Sequence, residues 1–347
     1  MSEAAPAQGA GRESGSRRIV SSVKSALNKP EAGPFTLFVG VLITFTLLSG
    51  AFASAGNISN LLAFTPELGM IALAMTLLMT AGEFDLSVGS VFGFSAVIMW
   101  TVFNEGFVSL EIGFVIAMTV AVFIGFVNGW MVTRLKIPSF LVTLGMLLVV
   151  RGAALFMTSG FPQRTWRAES PLMGIIVGDL TIPTPIGDIR FFASILWFAL
   201  FAVVLGYVLT QSKFGNWIQA AGGNPMAATA RGVRVGRTKI LLFMLTAGMA
   251  AYAGITSSIR VSAANPNSGT GYELEIIAMT VIGGTVLGGG KGTIIGTVIG
   301  VLLLRVMRNG IVLVGVPGLA YNIFVGGIIL GMMALHSYLS RRQQDVA

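Results

Sequence analysis

Ten stretches of nearly unbroken apolar residues run along the chain, at 35–52, 61–81, 86–104, 111–133, 138–158, 191–210, 239–259, 274–289, 291–311 and 318–339. Gly, Pro, Asn or charged residues bound each one. A hydrocarbon core roughly 30 Å thick takes about 20 apolar residues of helix at about 1.5 Å each. The pattern therefore predicts an all-α polytopic membrane protein of about ten transmembrane helices, with both termini on one side. The first stretch ends in small residues (Ala51, Ala53, Ala55) that imitate a cleavage site, but its 18 residues exceed the ~7–15 of a signal-peptide core. We read it as an uncleaved first span.

Between these stretches the polar segments set the organisation. Residues 1–33 carry five basic and three acidic residues among Ser, Ala and Gly without apolar periodicity, which predicts a disordered cytoplasmic tail. A transmembrane domain over 34–339 and a second cytoplasmic tail over 340–347 follow. Two loops are longer than a helix connection needs. Residues 159–190, with Pro162, Pro171, Pro183 and Pro185, are expected as a small cap on the outer face, and 211–238 lie inside.

Composition removes the soluble alternatives. Of 347 residues, 54% are hydrophobic, 45 are Gly, and only 10% are charged, against roughly 25% in a soluble domain. Zero Cys excludes disulfides and thiolate chemistry, and the lone His336 excludes a His-cluster metal site. No paired carboxylates with His and no Ser-His set point to catalysis. The net charge of +8 is explained by orientation rather than nucleic acid, because basic loops stay cytoplasmic. Arg134, Lys136, Lys213, Arg231, Arg234, Arg237, Lys239, Lys291, Arg341 and Arg342 all fall inside, whereas the outer segments hold Glu105, Glu111, Glu169, Asp179, Asp188, Glu273 and Glu275.

Within the inner loop, Gly222-Gly223-Asn224-Pro225-Met226-Ala227-Ala228-Thr229-Ala230-Arg231-Gly232 has an N-cap residue, Pro at the first helical position, Ala for the body and Gly as a stop. A two-turn helix outside the membrane is predicted, and one so short needs a docking partner. In Ala81-Gly82-Glu83-Phe84-Asp85-Leu86-Ser87-Val88-Gly89-Ser90, Asp85 can cap the following helix; the segment also suits a re-entrant break lining a cavity. Gly292, Gly296 and Gly300, then Gly327 and Gly331, form small-residue faces for close helix packing. Gly288-Gly289-Gly290-Lys291-Gly292-Thr293 fails as a phosphate loop, since Thr285 stands where that pattern needs Gly and Gly292 follows the Lys. Thr270-x-x-Glu273 matches a capping box.

Charges inside spans cost about 2.5–3.5 kcal/mol each on insertion scales. Glu67 and Arg151 lie about 9–10 Å below the outer ends of their spans at 1.5 Å per residue, which predicts a Glu67–Arg151 ion pair, with Arg305 as the competing partner.

Taken together, several segments resemble the inner-membrane permeases of monosaccharide-type ABC importers, the relatives of ribose permeases. They are Gly82-Glu83-Phe84-Asp85-Leu86-Ser87-Val88-Gly89-Ser90; Asn128-Gly129; Ile137-Pro138-Ser139-Phe140 through Thr143-Leu144-Gly145 to Arg151-Gly152; the 222–232 segment; Tyr272-Glu273-Leu274 into Ile282-Gly283-Gly284-Thr285; and Asn309-Gly310. The resemblance implies a multi-pass bacterial inner-membrane permease that is not itself an enzyme. It would pair with a second permease subunit, identical or paralogous, and take a ribose-like sugar or polyol from a periplasmic binding protein. ATP and Mg would be bound and hydrolysed by a partner cytoplasmic ATPase, and this chain would hold no cofactor or metal. The inner helix becomes the ATPase-coupling helix, with Gly223, Asn224, Pro225, Met226, Ala227, Ala228, Arg231 and Gly232; family members commonly have Glu where Met226 stands. The resemblance further suggests Asn60, Asp85, Ser87, Thr143 and Asn309 along the pathway, and Arg164 and Arg167 for binding-protein docking. The rival readings are an ion-coupled secondary transporter using Glu67 or Asp85, and an ABC permease for a nucleoside or branched-chain amino acid.

Overall fold

The computed structural model describes residues 31–164, 170–327, 330 and 331. Arg167, His336, most of the two expected tails and much of the last predicted span lie outside those residues.

Helices dominate. They are α1 (Ala32–Leu48), α2 (Ala55–Thr80), α3 (Val88–Asn104), α4 (Leu110–Arg134), α5 (Ser139–Thr158), α6 (Pro171–Val177), α7 (Ala193–Gln211), α8 (Lys213–Gly223), α9 (Pro225–Ala230), α10 (Val235–Val261), α11 (Tyr272–Ile282) and α12 (Ile294–Leu313). Side chains at their starts accept the free backbone N–H groups that the first turn leaves over. Ser54 takes Asn57, Ser109 takes Ile112, Ser212 takes Gly215 and Thr293 takes Gly296. Short strands add two small pairings. β1 (Gln163–Arg164) pairs with β4 (Ala263–Ala264), and β2 (Asp179–Thr184) forms an antiparallel hairpin with β3 (Gly187–Phe192).

Among the described residues six helices are long and apolar enough to cross a membrane: α2, α4, α5, α7, α10 and α12. The expectation of about ten spans is corrected on this point. α1 and α3 are apolar but have 17 residues each, and the predicted span 274–289 is the 11-residue α11 followed by a non-helical glycine-rich turn. Length rather than burial separates these helices from the six, since α2 is as enclosed as α3 and is still long enough to cross. Val88–Gly93 and Ser95–Trp100 of α3 are almost entirely enclosed, apart from Phe94.

Contacts between loops define two ends. At one, Gly290 N–H donates to Thr80 O (2.8 Å) and α8 and α9 lie alongside. At the other, Arg190 N–H donates to Ser59 Oγ (2.9 Å), and β1 meets β4. α3 and then α11 with its turn return the chain between these ends through the interior. In their most apolar windows, α2 is 83% and α10 and α12 are 67% buried, whereas α5 and α7 are 22% buried. The first three make the centre, and the others present apolar faces outward.

Glycine sets how closely the centre packs. A Cβ on Gly254 of α10 would strike the Phe92 carbonyl of α3, and one on Gly300 of α12 would strike Met279 O of α11. The predicted Gly292/Gly296/Gly300 face thus lies against α11 and its neighbouring loop, whereas Gly327 has nothing within 4 Å.

Candidate functional sites at the two ends

At the end that the sequence assigns to the cytoplasm, called inner below as its opposite is called outer, α9 forms as its sequence dictates. Asn224 Oδ1 accepts the Ala227 N–H (3.0 Å), Pro225 occupies the first position, and Gly232 has φ +84° just beyond the end. Met226 projects with 84% of its surface exposed, while Ala228 is buried. Arg231, Arg234 and Arg237 are exposed around it.

The root of α9 is held by backbone rather than side chains. Gly222 lies against Thr80 O and Gly290 N, and Gly289 (φ +84°) lies where a Cβ would come within 2.8 Å of Gly82 Cα and 3.0 Å of Gly222 Cα. The loops after α2 and α11 and the last turn of α8 therefore meet at glycines. The run that fails as a phosphate loop has this packing role. Only Gly fits there, since positive φ and backbone contact exclude a Cβ.

Next to this junction Asp85 is fully buried. Its Oδ1 accepts from Ser87 N (2.8 Å) and Ser87 Oγ (2.6 Å), and Asn128 Nδ2 bridges to Ser87 Oγ (3.0 Å) and Asp85 Oδ2 (3.4 Å). Glu83 pairs with Lys239 Nζ at 2.6 Å, tying the same loop to α10.

The outer end contains a cavity of about 490 Å³ between α2, α10, α11 and α12. Asn60, Glu67, Arg260, Tyr272, Arg305 and Asn309 are among its lining residues. The structure corrects the predicted Glu67–Arg151 pair. Glu67 bonds Arg260, whose guanidinium also covers the Phe64 ring at 3.9 Å. Arg151 instead donates to the carbonyls of Pro266 (2.6 Å), Ser268 (2.8 Å) and Gly89 (3.2 Å), holding the turn before α11 against α3. Helix α10 runs two residues past its predicted end, and that brings Arg260 to Glu67. Glu275 bonds Arg308 (3.3 Å) and Tyr321 OH (2.8 Å). The Thr270/Glu273 capping box does not form, because α11 is entered from Gly271 at φ +83° and Thr270 Oγ1 donates to Asn267 O.

Of the residues suggested for the pathway, Asn60 and Asn309 border the cavity, while Asp85 and Ser87 sit at the inner end. Thr143 is buried on α5 with its hydroxyl on Ser139 O. The five do not converge. Arg164 is at the outer end, where Asn104 Nδ2 reaches its carbonyl at 3.4 Å. Arg260, Arg308 and Tyr272 also line the cavity, beyond the residues expected there from sequence. The i, i+3, i+4 spacing of Arg305, Arg308 and Asn309 on one helix face was the available signal.

A family model described as branched-chain amino acid transport system / permease component matches residues 57–333. The ribose import permease protein RbsC of Escherichia coli (strain K12) is 34% identical over 306 residues, covering 86% of this chain and 90% of the relative. The xylose/arabinose import permease protein XylH of Sulfolobus acidocaldarius is 31% identical over 326 residues, covering 91% and 88%. The autoinducer 2 import system permease protein LsrC of Salmonella typhi is 31% identical over 311 residues, covering 89% and 85%. No solved structure matches. The matched span takes in both the outer cavity and the glycine-rooted helix α9, and the chain belongs to this family of transport-system permease components.

Proposed function

We propose that the chain is the membrane-embedded subunit of an ATP-driven importer that passes a monosaccharide across the inner membrane. Hydrolysis takes place in a separate ATPase that grips α9. A soluble binding protein delivers the cargo at the outer end, where Arg164 and Arg167 are the docking candidates, and a second permease subunit completes the path. The sugar class rests on relatives named for ribose and for xylose or arabinose import.

The carrying observation is α9. A six-residue helix cannot stand alone in water, yet this one holds an 84%-exposed methionine at its tip. Its root is packed against the loops that close α2 and open α12. A push on α9 is delivered through backbone contact to two of the three central helices, which is what alternating access requires of a permease without its own motor. The ion-coupled alternative fits less well, because Glu67 is neutralised by Arg260 and Asp85 is saturated by Ser87 and Asn128.

The test is uptake of a labelled pentose panel by vesicles holding the chain with its cognate ATPase and binding protein. ATP-dependent uptake is expected, and Met226→Arg should lower it at least tenfold at unchanged membrane level. Uptake by this chain alone on a proton gradient would overturn the proposal.

A further inference from the structure

Of the three arginines that line the outer cavity, two are paired with carboxylates and one is not. Glu67 bonds Arg260 and Glu275 bonds Arg308, while Arg305 forms no hydrogen bond or salt bridge among the described residues. Arg305 is nevertheless 7% exposed, and its Nε is buried without a partner. A guanidinium withdrawn from water and left unpaired is costly; ligand sites retain such groups. The second orphan is an acceptor. Asn57 Nδ2 donates to Phe52 O (2.8 Å), so its Oδ1 is left to take Asn309 Nδ2 (2.7 Å), and Asn309 Oδ1 remains buried with no donor. Arg305 and Asn309 are four apart on α12, hence on one face, and both line the cavity with Asn60 and Tyr272.

We propose that this cavity binds a small anion carrying neighbouring hydroxyl groups. Its charged oxygens lie on Arg305, and one hydroxyl donates to Asn309 Oδ1. Arg305 supplies what a carboxylate or phosphate needs, namely several N–H donors in a fixed fork. Asn309 Oδ1 needs a donor, which a bare anion lacks and a hydroxylated one has. The cavity volume of about 490 Å³ accommodates a single headgroup or sugar-acid-sized molecule. Two sources offer this chemistry: a free polyhydroxy acid, and a glycerol-bearing anionic lipid headgroup entering past the exposed Phe64, Val261 and Val312. The site goes beyond the transport reading and stands whether or not the cargo is a neutral sugar, because it is tested at equilibrium without ATPase or binding protein.

The experiment follows the unfolding midpoint of the full chain in phosphatidylcholine nanodiscs. D-gluconate is titrated at constant ionic strength with D-ribose and chloride as controls, and in a second arm phosphatidylglycerol replaces part of the lipid. A gluconate response identifies a free hydroxy acid; a phosphatidylglycerol response alone identifies a headgroup. In either arm Arg305→Gln should raise the half-saturating concentration at least tenfold. Arg305→Lys, which keeps the charge and lets folding be judged, should weaken it less. Asn309→Asp should abolish it by placing an internal carboxylate in the site. No response in either arm, equal responses to ribose and gluconate, or an Arg305→Gln protein that responds like the original would overturn the assignment.

Discussion

The Glu67 and Arg260 side chains sit at 3% and 10% exposure, so each is the other's replacement for water. Removing one partner of such a pair leaves a buried charge and costs about 3–5 kcal/mol, whereas replacing both by apolar groups of similar volume is close to neutral. Glu67→Gln should therefore lower the unfolding midpoint in detergent sharply, and Glu67→Leu with Arg260→Met should recover most of the loss. A double variant no better than its singles would mean that the two residues are not coupled. The same logic explains why pairing was misjudged from sequence. Depth below the membrane surface is similar for Glu67 and Arg151, but depth does not say which helix faces which. Arg151 lies on the mostly exposed α5 and turns toward α3 and the turn before α11, where the carbonyls of Gly89, Pro266 and Ser268 occupy its guanidinium.

At the scale of elements, the glycine junction separates two kinds of substitution within one turn. Gly289 has φ +84° and touches Gly82 and Gly222, whereas a Cβ on its neighbour Gly288 meets nothing within 4 Å and carries no positive φ. Left-handed backbone costs a residue with a Cβ about 1–2 kcal/mol, and the close contact adds to it. Gly289→Ala should thus reduce thermal stability and pentose uptake together, with Gly288→Ala near the original in both. Equal effects would dissolve the junction as a mechanical link. Helix α9 itself was legible from Asn224, Pro225 and Gly232, because caps and stops act within a few residues. The junction beneath it was not. Gly82, Gly222 and Gly289 are each unremarkable in their own segment, and only the fold places them together. The excess of predicted spans has a related cause, since hydrophobicity does not say how far a helix runs before a turn ends it. α3 reads as a span but stops after 17 residues at Asn104, and the turn after α11 reads as helix because its glycines are apolar.

The whole molecule is asymmetric between its ends, and the proposed mechanism needs that asymmetry oriented. Exposed Arg134, Lys136, Arg231, Arg234 and Arg237 gather at the α9 end, where the acids among the described residues are Glu31, Glu83 and Asp85, while Glu105, Asp179 and Asp188 lie at the hairpin end. Short basic loops are retained in the cytoplasm, so the charge predicts that α9 lies inside. A single long helix, α7, separates the β2–β3 hairpin from α8 and α9, so one crossing fixes the two on opposite sides irrespective of how the remaining helices are counted. The chain contains no Cys, which makes a single introduced thiol an unambiguous reporter. Ile186→Cys, at a hairpin turn position 58% exposed, should react with a membrane-impermeant maleimide on intact spheroplasts. Arg231→Cys, just past α9, should react only after the membrane is opened. The reverse pattern would place α9 beyond the reach of any cytoplasmic ATPase, and the coupling mechanism would fail regardless of how well the chain matched its family.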